Sequence, residues 1–126
     1  MRQFAGRLVF IAIVGISVGC GDGVNPASPF KGKLDAAIAI NEAFSRDTAL
    51  VSVAKEAAAG GDADVTRAAL RHIGESFTRD QAAAAAALKL GKAGKSVEAT
   101  QVAKSIGESF LRDSTLSRLA KSEYGE

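Results

Sequence analysis

The chain has no tryptophan, one tyrosine, one histidine, one cysteine and two prolines. Each scarcity excludes something. A single histidine and a single cysteine are too few ligands for a protein zinc site, and one cysteine cannot close a disulfide within the chain. Both prolines, Pro26 and Pro29, precede Lys31, so nothing after them interrupts a helix by this route. Charge of one sign is also lacking. The 16 Lys and Arg face 14 Asp and Glu, and setting aside Arg2 and Arg7 leaves 14 against 14. A near-neutral domain without a basic stripe gives no footprint for nucleic acid. With 126 residues there is room for one domain.

What the chain does have is one phrase said three times. Residues 40–47 read INEAFSRD, residues 73–80 IGESFTRD and residues 106–113 IGESFLRD. Ile40, Ile73 and Ile106 stand 33 residues apart. A fixed period of that size signals stacked helical units. From Leu34 onward apolar residues fall three and four apart, the helical period. The pattern predicts six helices: 34–45, 47–59, 62–76, 80–92, 95–109 and 113 onward. Gly60-Gly61 and Gly94 are the expected stops, through a left-handed residue after the helix. The inward positions are Leu50, Val53, Ala54 and Ala57, then Val65, Ala69, Leu70 and Ile73, then Ala99, Val102, Ala103 and Ile106, and finally Leu116, Leu119 and Ala120. Glu42 and Arg46, with their counterparts at 75/79 and 108/112, are spaced as helical ion pairs or as ties across a turn. Phe44, Phe77 and Phe110 are expected to plug that turn. So many inward alanines bury little area, which predicts either a marginally stable domain or one completed at a C-terminal helix, Leu116–Tyr124, that associates with a partner or with itself.

The N-terminus reads as a targeting segment. Arg2 and Arg7 form a basic region, Leu8 to Val18 an apolar one, and Ser17-Val18-Gly19 lead to Cys20. The apolar run is shorter than the ~20 residues a spanning helix needs. This stretch resembles the lipobox of bacterial lipoproteins, with Ser17 where that motif most often has Leu. The resemblance implies cleavage before Cys20 and acylation of its thiol, and a membrane-anchored protein of the cell envelope. Gly21 rather than Asp after the cysteine implies the outer membrane where the bacterium has one. A plain secretory signal with an incidental cysteine, or an uncleaved anchor, stand as alternatives. Residues 1–19 are then signal peptide, 20–33 the lipidated cysteine and a flexible tether, and 34–126 the helical domain.

The repeats resemble tetratricopeptide-like helix pairs over about residues 34–124. Leu50, Ala83 and Leu116 take the first large apolar position, Ala54, Ala87 and Ala120 the small one, and Gly61 and Gly94 the turn glycine. The period is 33, not 34, and the closing proline is absent. The resemblance implies an all-α short solenoid of antiparallel helix pairs that binds a protein or peptide. Its groove would be lined by Thr48, Lys55, Gln81, Leu88, Lys92, Ser114 and Lys121, mildly basic and suited to an acidic segment.

Other motifs dissolve on inspection. G-K-A-G-K-S at 91–96 has Lys89 where a phosphate loop needs its first glycine, and a helix before it in place of a strand. A hydrolase would have to use His72 with Ser76, and nothing around them resembles a nucleophile elbow. The expectation is a binding scaffold with no enzymatic activity, no metal and no cofactor. Its rivals are a soluble exported subunit of an envelope assembly and a hydrolase using His72.

Overall fold

The structure is a computed structural model and describes residues 23–125. The expected signal peptide and Cys20 lie outside the described residues. Among these the fold is all-α, with six helices: α1 Lys31–Ile38, α2 Ala43–Ala59, α3 Ala63–His72, α4 Ser76–Lys92, α5 Ser96–Lys104 and α6 Ser109–Ala120. They form two layers. The longer helices α2, α4 and α6 pack side by side in one, and α1, α3 and α5 follow each other in the second. Helices α2 and α6 do not meet, so each pair packs only on its neighbours, as in a helical repeat array.

The core between the layers is mostly alanine. Leu34, Leu50, Val65, Ile73, Leu90, Val102 and Ile106 are the large apolar side chains sealed within it. The inward residues expected on α2 to α5 are all buried. Those of α6 are not: Leu116 and Leu119 are half-buried and Ala120 is exposed, because no further pair packs on that side.

The helix stops behave as the glycines require. Gly61 and Gly94 adopt φ of 78° and 87°. After α2 the Asp62 N–H reaches the Ala57 carbonyl at 2.8 Å and the Gly61 N–H the Ala58 carbonyl at 3.0 Å. After α4 the Lys95 and Gly94 N–H groups make the same two bonds, to Leu90 and Gly91. This is the Schellman arrangement, which satisfies orphan carbonyls at a helix end. Helix α6 ends the same way on Ser122, at φ 58°, earlier in its unit than α2 or α4.

Helices α3 and α5 start where expected, after Asp62 and Lys95; the starts of α2, α4 and α6 differ from expectation, and the reason lies in the repeated phrase. The chain turns before the glutamate, not at the Arg-Asp pair. Glu42, Glu75 and Glu108 are the N-cap residues of α2, α4 and α6. Each carboxylate accepts two N–H groups of the first turn, from Phe44 and Ser45, Phe77 and Thr78, and Phe110 and Leu111. Glutamate is not among the favoured N-caps, so a pattern search for Ser, Thr, Asp or Asn starts these helices too late. The aspartate that closes the phrase sits inside the helix. Asp47 is buried and accepts from the Gly74 and Glu75 N–H groups at 3.1 Å each. Asp80 does the same for Gly107 and Glu108, at 3.2 and 3.1 Å. Each aspartate latches its helix to the turn one unit further on. The phenylalanines do not plug the turn. They are the second residue of each long helix and stand in solvent, 78%, 68% and 80% exposed at Phe44, Phe77 and Phe110.

The stretch read as a tether is also different from Val24 onward. Val24 is buried in the core, Phe30 packs beneath Gly60, and the Ser28 hydroxyl donates to Asp62 at 2.5 Å. Helix α1 starts at Lys31, on the end of the array where the 24–30 segment runs.

Two of the glutamate caps, Glu42 and Glu75, carry a pH dependence. Glu42 is held below the usual carboxylate range by hydrogen bonds from Ser45, its side chain and then its N–H, and from the Phe44 N–H. Glu75 is lowered likewise by Thr78, then by the Phe77 N–H and the charge of Arg79. Both stay charged longer in the folded than in the unfolded chain. Their contribution is therefore complete above the unfolded carboxylate pKa of about 4.3 and is lost as pH falls through the depressed folded value. Acid unfolding curves of Glu75→Gln are expected to show a smaller loss of stability between neutral and acid pH than the parent.

Candidate functional site

A cleft of about 430 Å³ lies in the long-helix layer, between α4 and α6. Its walls follow from helical spacing. Gln81, Ala84, Ala85, Leu88 and Lys92 form one stripe along α4, at intervals of three and four. Leu111, Ser114, Thr115 and Arg118 form the facing stripe on α6. Lys89, Tyr124 and Gly125 complete it. Alanines on α4 keep the floor low, with Leu88 buried along it. Thr115 is buried too, and its hydroxyl is spent on the Leu111 carbonyl at 2.7 Å.

The cleft has one sign of charge. Lys89, Lys92 and Arg118 stand around it, and among the described residues none of those lining it is acidic. A concavity with low-dielectric walls and one sign of charge attracts the opposite charge. Chemically it offers donors from Lys, Arg, Gln81 and Ser114, together with an apolar floor. That suits an extended or helical segment carrying carboxylates beside small apolar residues.

Four of the seven residues expected in a groove line this cleft: Gln81, Leu88, Lys92 and Ser114. The other three do not. Thr48 and Lys55 are exposed on α2, which does not border the cleft. Lys121 caps the end of α6, where the chain turns away at Ser122, so it does not continue the α6 stripe. Sequence reasoning missed Lys89, Leu111, Thr115, Arg118 and Tyr124. The 111, 114, 115, 118 spacing was the available signal; starting α6 at Asp113 rather than Ser109 left out Leu111, and the positions carried over from the repeat resemblance passed over Thr115 and Arg118.

Other candidates are placed without forming a site. His72 is exposed at the end of α3, and its Nδ1–H donates to the Ala68 carbonyl at 2.9 Å. Ser76 opens the next helix. Residues 91–96 are the end of α4, a tight turn through Gly94 and the first residue of α5, helix on both sides. Among the described residues no cluster of three His, Cys, Asp or Glu is placed to hold a metal ion. None of the described helices is long and apolar enough to cross a membrane. Compared with family models, with curated proteins and with solved structures, the chain matches none of them.

Proposed function

We propose that this protein is a membrane-anchored lipoprotein whose helical, tetratricopeptide-like domain is a scaffold binding an acidic segment of another protein. The observation that carries the binding half is the α4–α6 cleft, with Lys89, Lys92 and Arg118 around an alanine and leucine floor and no acidic lining residue among those described. Binding there is surface complementarity without bond chemistry. The anchoring half rests on Cys20 and the lipobox-like stretch before it. A diacylglyceryl group adds buried CH₂ groups at ~0.8 kcal/mol each, enough for stable attachment with two or more chains.

Fluorescence anisotropy with a labelled Glu- and Asp-rich peptide tests the binding half. Binding that weakens with salt, and falls about tenfold or more in Lys92→Glu/Arg118→Glu, is expected. Equal affinity for a lysine-rich peptide of the same length would contradict it. Intact mass of the chain extracted from membranes tests the anchor. The expected mass starts at residue 20 with added acyl groups, and Cys20→Ser loses them. An unmodified thiol would remove the anchor and leave a soluble exported subunit as the better reading.

A further inference from the structure

The aspartate latch is used twice within the described residues and left open twice. Asp47 and Asp80 are each 8% exposed, with both carboxylate oxygens filled by consecutive backbone N–H groups one unit on. Asp113 holds the same place in the third phrase, yet its side chain is 73% exposed and, among the described residues, meets only its neighbour Arg112, at 3.3 Å. At the other end the turn before α2 presents the Asn41 and Glu42 N–H groups, the counterparts of Gly74 and Glu75. No described carboxylate receives them. One end of the array therefore carries the acceptor and the opposite end the matching donor pair.

Among the described residues, the flanking surfaces are open at the same two ends. Ala120 is exposed where its counterparts Ala54 and Ala87 are sealed, and Leu116 is half-buried where Leu50 and Ala83 are sealed. Beside them lies a cleft of about 260 Å³ lined by Gly91, Thr100, Leu116, Leu119 and Ala120 among others. On α1, Lys33 and Ala36 are exposed where Thr66 and Ala69, then Ala99 and Val102, are buried against the preceding pair. From the 24–30 segment, Phe30 reaches Gly60 and Ser28 reaches Asp62.

We infer that a second copy of this chain docks head to tail, the Asp113 carboxylate of one copy accepting the Asn41 and Glu42 N–H groups of the next. The contact repeats the step between units already present within the chain. Thr66 faces the Ala54 carbonyl at 3.5 Å, and the same step sets Lys33 of the following copy near Ala120. Such a contact is heterologous and does not close by symmetry, so it propagates into short rows. The inference extends the scaffold reading. Rows of anchored copies would set the α4–α6 clefts side by side, although Asp113 itself does not line the cleft.

The test is disulfide cross-linking of the full chain in detergent, with Cys20→Ser as the background. Asn41→Cys/Asp113→Cys is expected to give a ladder of dimers, trimers and higher species under mild oxidation, while each single variant gives no ladder. A monomer only, or dimers in equal yield from the single variants, would overturn the proposal. Sedimentation velocity gives a second reading. Concentration-dependent growth is expected in the Cys20→Ser chain and should weaken about tenfold or more on adding Asp113→Ala. Growth that survives Asp113→Ala but is lost in Phe44→Ser/Phe77→Ser/Phe110→Ser would place the contact on the phenylalanine row and overturn the proposal. Acidic-peptide binding unchanged in Asp113→Ala separates this outcome from failure of the scaffold reading.

Discussion

Asp80→Ala is expected to lower unfolding stability by about 3 kcal/mol, while Asp113→Ala, at low protein concentration, changes it by less than ~0.5 kcal/mol. The two residues occupy the same place in the same phrase, and the difference is entirely one of partners. Asp80 accepts from Gly107 and Glu108 and is buried between its helix and their turn. Hydrogen bonds to a charged group are worth roughly 1.5–3 kcal/mol each, and truncation also leaves two N–H groups without an acceptor. Asp113 faces water. A domain of this size has about 5–15 kcal/mol in all, so the loss at Asp80 is a large share of the total. Urea midpoints of the two variants, measured side by side, check the difference. Equal midpoints would mean that the latch does not hold the units together.

A second large effect is expected from the core. Leu90→Ala should cost about 3 kcal/mol, within the 2–5 kcal/mol range of such truncations. Leu90 is fully sealed, and its neighbours on α4 are Ala83, Ala86 and Ala87. Alanines have no rotamers with which to fill a cavity, so the site relaxes poorly and the void remains. The contrast is Phe77→Ala on the same helix. Phe77 is the larger side chain but is 68% exposed, and its removal should leave stability within ~0.5 kcal/mol. Thermal unfolding of both variants is sufficient; a larger loss at Phe77 than at Leu90 would invert the account of the core.

The two residues also show how much was legible in the sequence. The 3.6-residue period places Leu50, Val65, Ile73, Val102 and Ile106 inward, and all are buried. It also predicts six helices, the number found among the described residues. Glycine stops were legible because a left-handed residue after a helix has few alternatives to glycine; Ser122, which ends α6 early, carried no such mark. The starts of α3 and α5, at Asp62 and Lys95, were legible, whereas those of the long helices at the repeated phrase were not. Glu75 acts as a cap and Asp80 as a bond between units, the reverse of the roles their types suggest, and the second role depends on a turn 27 residues away. With the starts displaced, the phenylalanines were assigned to a turn they do not occupy. The cleft was half legible because its residues were carried over from the repeat resemblance. The α4 stripe was in register, whereas the α6 stripe was seen only at Ser114.

The cleft is the centre of the functional account, and a heteronuclear NMR titration of the full chain with a Glu- and Asp-rich peptide tests it most directly. The account predicts that shifts cluster on Gln81, Leu88, Lys92, Ser114, Thr115 and Arg118 and shrink as salt is raised. Shifts confined to Phe44, Phe77 and Phe110, or none at millimolar peptide, would contradict it.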